Sequence, residues 1–109
     1  MKASVAKAKG RRFQQWVRDQ LIKVLDLSEE DVRSTSMGAG GEDVTLSASA
    51  RERFPYSVEC KNQERVSIWA AYAQSTENSK GYEPLLFIKK NHHKPLAVVD
   101  AEHFIGLMK

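Results

Sequence analysis

The chain has 109 residues, 41% hydrophobic and 28% charged, with a net charge of +3 and an isoelectric point near 9.1. That is one domain's worth of ordinary globular composition, so a single domain spanning residues 1–109 is expected. No apolar run approaches the ~20 residues that cross a bilayer, the Met1–Lys7 start lacks the apolar stretch of a secretory signal, and one cysteine, Cys60, excludes an internal disulfide or a cysteine-rich zinc site. A protein of the cytoplasm with no membrane partner is expected (the host cytoplasm, if the source is viral).

Residues 9 to 26 predict an amphipathic helix, because Phe13, Trp16, Val17, Leu21, Val24 and Leu25 recur at three-four spacing. Trp16 is expected in the core. Lys2, Lys7, Lys9, Arg11, Arg12, Arg18 and Lys23 crowd this end of the chain, opposed by Asp19 and Asp26 alone. Such an end can draw in a polyanion or be a solvated helix face, and the residues by themselves leave both open. Ser28 ahead of Glu29, Glu30 and Asp31 marks a capped turn.

Residues 32–36 predict a short strand, and Gly38-Ala39-Gly40-Gly41 a flexible loop. Residues 43–48 alternate polar and apolar side chains, as a half-buried strand does. Residues 49–55 read as a charged connection, and residues 56–61 as the next strand. Strand alternation puts Val58 and Cys60 on one face and Ser57, Glu59 and Lys61 on the other. The Cys60 side chain is therefore expected to pack in the core.

A second helix is expected over 66–79 with Trp69, Tyr72 and Ala73 inward. Leu85-Leu86-Phe87-Ile88 is an unbroken apolar run of strand length, the pattern of a strand buried on both faces. Asn91-His92-His93-Lys94 fits a solvated turn, residues 96–99 an adjacent strand, and residues 101–107 a short helix. His103 has no visible partner. The order predicts one mixed sheet flanked by helices, α/β or α+β in class.

Chemistry concentrates in three residues. Asp43 starts a strand just after the glycine loop, and Glu59 and Lys61 sit two apart on the following strand. If those strands pair, both carboxylates can bridge one cation. Left unpaired on one sheet face, they would repel each other and pay for desolvation. Two carboxylates with room for water, and the Cys60 carbonyl lying between Glu59 and Lys61, suit a hard ion such as Mg2+, with Mn2+ as a substitute. Lys61 is then placed to orient water or to stabilise charge developing on a phosphoryl group. A lone Glu-x-Lys is also simply an ion pair on a solvated face, so the pattern, not the triplet, carries the reading.

The stretch from Gly41-Glu42-Asp43 through Val58-Glu59-Cys60-Lys61 resembles the PD-(D/E)xK nuclease superfamily, most of all its archaeal-type Holliday junction resolvases and their phage relatives. The similarity also takes in Lys9-Gly10-Arg11-Arg12, Arg33-Ser34, the glycine loop, Gln74 and Phe87-Ile88-Lys89, in order along nearly the whole chain. The resemblance implies an α/β fold with a restriction-endonuclease-like mixed sheet. It implies a Mg2+-dependent endonuclease acting on four-way or other branched DNA as a homodimer. Asp43, Glu59, Lys61 and Gln74 would be catalytic, with Asp43, Glu59 and the Cys60 carbonyl on the metal. Lys9, Arg11, Arg12, Arg33, Ser34, Gly38, Gly40, Gly41 and Lys89 would meet DNA. Two positions depart from the family pattern. Gln14, or Gln15, stands where the first helix usually carries a glutamate, and Glu42 replaces the usual proline and should point away from Asp43. Two other readings stay open: a restriction-like or repair nuclease without junction preference, and a non-catalytic DNA-binding module.

Overall fold

Alternating apolar residues build a sheet that one long helix covers on one side and a shorter helix on the other. The computed structural model describes residues 3–35 and 41–109, so Gly38 and Gly40 lie outside the described residues. The elements are α1 (Ala3–Leu25), a 3-10 turn (Glu29–Asp31), β1 (Val32–Ser34), β2 (Val44–Leu46), α2 (Ala48–Arg53), β3 (Tyr56–Asn62), α3 (Ile68–Glu77), β4 (Glu83–Lys89), β5 (Leu96–Val98) and α4 (Ala101–Gly106). The five strands lie in sequence order, β1-β2-β3-β4-β5. All neighbours are antiparallel except β3 and β4, which are parallel. A parallel pair cannot close with a hairpin; α3 supplies the crossover. The class is α/β with a mixed five-stranded sheet and flanking helices, and no helix among the described residues is long and apolar enough to cross a membrane.

The core lies between α1 and the first three strands. Phe13, Val17 and Leu21 of α1 meet Val32, Val44, Leu46 and Val58, with Cys60 and Phe87 packed at the margin. The alternation expected of β2 holds: Val44 and Leu46 are buried and Thr45 is exposed. Asp26 ends α1 by taking a left-handed φ of 53°, a conformation that aspartate tolerates better than most residues. Ser28 accepts a hydrogen bond from the Glu30 N–H and caps the turn that follows.

Three expectations need correction. The buried stripe of α1 runs through Lys9, Phe13, Gln14, Val17 and Leu21, so Gln14 occupies the inward position expected of Trp16. Trp16 is exposed and stacks on Phe13 with ring centroids 6.1 Å apart. On α3 the sheet-facing residues are the small Ala71 and Ser75, while Trp69 is 87% exposed. Residues 48–53 are a helix, not a loop, started by Ser47, whose hydroxyl accepts from the Ala50 N–H.

That short helix sets up a buried ion pair. Arg51 reaches Glu42 at 2.7 Å with both side chains buried, donates to the Tyr56 carbonyl and lies over the Tyr82 ring at 4.2 Å. His103 also has partners, contrary to expectation: it bonds the Tyr56 hydroxyl at 2.7 Å and faces Glu83 at 3.5 Å.

The two faces of α3 predict opposite outcomes for two substitutions beneath and upon it. Leu86, fully buried in β4, should cost about 2–5 kcal/mol when changed to alanine. Trp69→Ala should shift stability by less than about 0.5 kcal/mol. Urea unfolding of the two variants checks both.

Candidate metal centre

β2 stops pairing just where the chemistry begins. Val44 lies opposite Val58, and the Asp43 N–H donates to the Val58 carbonyl at 2.9 Å, so Asp43 sits at the end of the ladder, with its carboxyl beside that of Glu59. One residue on, the Cys60 N–H meets the Asp43 side chain, Oδ2 at 2.7 Å, in place of a strand carbonyl. The Cys60 carbonyl shares that edge with its own N–H and so also points past the end of β2.

Both helices hold the pair in place. From α1, Gln14 donates to the Asp43 carbonyl at 3.4 Å, an oxygen that also accepts from the Thr35 N–H and hydroxyl. Beyond the end of α3, the Asn78 side chain donates to Glu59 Oε1 at 3.4 Å, and the Ser57 hydroxyl holds the Asn78 carbonyl from below. Gln14 and Glu59 are 2% and 4% exposed. Among the described residues Gln14 Oε1 and Glu59 Oε2 have no hydrogen-bond partner. Buried oxygens without partners are uncommon and ask for a ligand.

The electrostatics agree with the geometry. Burial raises the Asp43 carboxyl above its ordinary range, against the opposing pull of the Cys60 N–H and of Lys61. Burial, then the neighbouring Asp43 charge, pushes Glu59 up to about 7. The two carboxyls are close enough to share a hydrogen bond. Burial and both carboxylates raise the Cys60 thiol, which keeps it protonated and useless as a nucleophile. Neither acid has an ion pair among the described residues.

These residues floor an open cleft of about 560 Å³, walled by Lys7, Gly10 and Gln14 of α1, by Gln74 and Asn78, and by Gly41, Lys61 and Gln63. Comparison with protein-family models, with curated proteins and with solved structures found no match. The chemistry must therefore be read from the donor set. Among the described residues no three His, Cys, Asp or Glu side chains gather as a ligand group. The centre offers two carboxylates, the Gln14 amide oxygen and the Cys60 carbonyl. All are oxygen donors, fit for a hard cation that keeps some of its waters.

Of the residues expected at the site, Asp43, Glu59, Lys61, Gln74, Gly41 and the Cys60 backbone all line this cleft. Gly41 needs its freedom, with φ at 90°. The residues expected to meet DNA are dispersed. Lys9 turns inward, 8% exposed, and pairs with Glu64 at 3.1 Å, so it is not free for phosphate. Arg11 is exposed on α1. Arg12 and Lys89 share a neighbouring hollow with Trp16 and Asn62. Arg33 and Ser34 lie beside Arg18 in a separate depression. Glu42 is committed to Arg51 and takes no part in the cleft. Asn78 was not anticipated; its place four residues after Gln74, on the same helical face, was the available signal.

A raised carboxyl has a defined consequence for stability. The folded, metal-free chain keeps a proton on Glu59 that the unfolded chain releases near the ordinary value of 4.5. Stability should therefore fall as pH rises from about 4.5 to about 7, and level off above. Glu59→Gln should flatten that fall. Unfolding midpoints measured across this range in chelator test it, and an unchanged slope in the variant would contradict the assignment.

Proposed function

We propose that this chain is a metal-dependent endonuclease that hydrolyses phosphodiesters in branched DNA. One observation carries the reading: Asp43, half-buried, and Glu59, buried, lie side by side on the cleft floor with no ion pair among the described residues. The resemblance to the PD-(D/E)xK nucleases, with their restriction-endonuclease-like sheet, supports it independently of the geometry.

Asp43, Glu59 and the Cys60 carbonyl would hold Mg2+ or Mn2+, with Gln14 Oε1 facing it or one of its waters. Such an ion polarises a phosphoryl oxygen and makes a coordinated water more acidic. Lys61, on the same sheet face as Glu59, sets its ammonium beside the reacting phosphate and stabilises the charge that builds on its oxygens. Gln74, exposed on the opposite wall, orients the attacking water. Gly41 lets the backbone approach the strand closely. Arg11, Arg12 and Lys89 supply cations outside the cleft.

Paired cuts across a four-way junction need two centres, which a twofold homodimer supplies. Ile105, Leu107 and Met108 near the carboxyl end are all strongly exposed and form the apolar face such a dimer would use. The same reading puts the protein in the cytoplasm. Gln14 favours a second reading, a DNA-binding module without a working centre, because an amide brings no charge to the metal.

The test is a substrate panel of labelled four-way junctions, flaps and linear duplex, with and without Mg2+. The proposal expects Mg2+-dependent cutting that favours branched substrates. It also expects Asp43→Ala, Glu59→Ala and Lys61→Ala to lose at least ~100-fold in rate while still binding DNA. Wild-type cutting by Glu59→Ala would sink the proposed centre. Tight junction binding without cleavage in either Mg2+ or Mn2+ would establish the binding module.

A further inference from the structure

We infer that a second groove, beside the cleft, seats an unpaired DNA strand on its way to the metal centre; this rests on the phosphodiester reading above. Lys61 of β3 stands in register with Ile88 of β4, and Ile88 with Leu96 of β5. Residues in register on adjacent strands project to one face, so the row that begins at Lys61 in the cleft continues outward as Ile88 and Leu96. With Val66 and Ile68 they floor a groove of about 310 Å³ rimmed by Arg65, Lys90 and Lys94. Gln63 lines both hollows, so the groove adjoins the cleft.

The charges on the rim are open to a ligand, although Lys90 also lies near enough to Glu64 to act on its carboxyl. Arg65, Lys90 and Lys94 are exposed, and their side chains make no ion pair or hydrogen bond among the described residues. The acid on that rim, Glu64, is already engaged by Lys9 Nζ at 3.1 Å and the Asn91 N–H at 2.8 Å. Meanwhile the floor leaves apolar surface in water, with Leu96 60% exposed and Ile68 39%.

Cations alone would suit a duplex, whose outer surface is phosphate and sugar. An apolar floor between cations suits a strand whose bases are unstacked: base faces bury apolar area against the aliphatic floor while phosphates meet the rim, as in other positively charged single-strand grooves. Branched DNA supplies such strands where its arms splay.

The experiment measures binding of the full chain in chelator by fluorescence anisotropy. The probes are a labelled oligothymidine of about 12 nucleotides, within the span of known single-strand sites, and a blunt duplex. The joint variant Arg65→Ala, Lys90→Ala, Lys94→Ala should weaken oligothymidine binding at least ~10-fold and lower the salt slope by about 2, at roughly 0.7 for each phosphate no longer neutralised. Leu96→Ser, a change at an exposed position, should weaken the oligothymidine with the salt slope unchanged and leave the duplex unaffected. The inference is overturned if the joint variant binds oligothymidine like the parent, or if Leu96→Ser has no effect. It is equally overturned if a poly-glutamate peptide binds the groove as tightly as the oligonucleotide. Cleavage separates the two readings. If the parent binds the strand through the groove but cuts nothing with Mg2+ or Mn2+, the groove stands and hydrolysis falls. If the joint variant binds and cuts like the parent, hydrolysis stands and the groove falls.

Discussion

Placing two carboxylates side by side on a buried sheet face is the constraint on which the rest of this structure turns. Removing either from water disfavours its charged form, and each charge disfavours the other. The fold answers with a partial remedy. The Cys60 N–H and Lys61 hold Asp43 towards ionisation, while Glu59, with the pull of Lys61, one amide bond from Asn78 and an oxygen unpartnered among the described residues, is still pushed up to about 7. Burial without compensation destabilises a fold unless a ligand completes it, and a divalent cation would favour the charged form of both carboxyls.

The same chain shows what a direct counter-charge looks like. Glu42, one residue before Asp43, is also buried, and α2 delivers Arg51 to it at 2.7 Å. Lys9 is buried and has Glu64. The fold can thus supply direct counter-charges to buried ions near the cleft, yet among the described residues Asp43 and Glu59 have no ion pair and only the more distant pull of Lys61. That contrast sets the pair apart from a structural acid cluster. It also explains the short β2, since ending its ladder at Asp43 frees the next edge position of β3 for a side chain and exposes the Cys60 carbonyl.

The sheet and the acid pair were legible in the sequence because strand alternation is rigid: once residues 56–61 are a strand, Glu59 and Lys61 must share a face. Pairing of β2 with β3 then brings Asp43 beside Glu59. Helical faces were less legible. Trp16 and Trp69 belong to apolar stripes by spacing, but α3 packs through its small residues Ala71 and Ser75, which leaves Trp69 outward, and on α1 the inward place goes to Gln14. Gln14 took an inward position because its amide could bond the Asp43 carbonyl, a long-range contact that no local pattern encodes. Lys9 looked like a phosphate contact until Glu64, distant in sequence, proved to be beside it. The helix over residues 48–53 was hidden by its charges, although the Ser47 cap and following alanine were its signal.

The central claim is that the uncompensated pair exists to hold a cation, and calorimetric titration of Mn2+ into the metal-free chain tests it without reference to any substrate. The account predicts saturable binding in the parent chain that Asp43→Asn and Glu59→Gln each abolish, with both variants still folded. A parent chain that binds no cation, or variants that bind as the parent does, would contradict it.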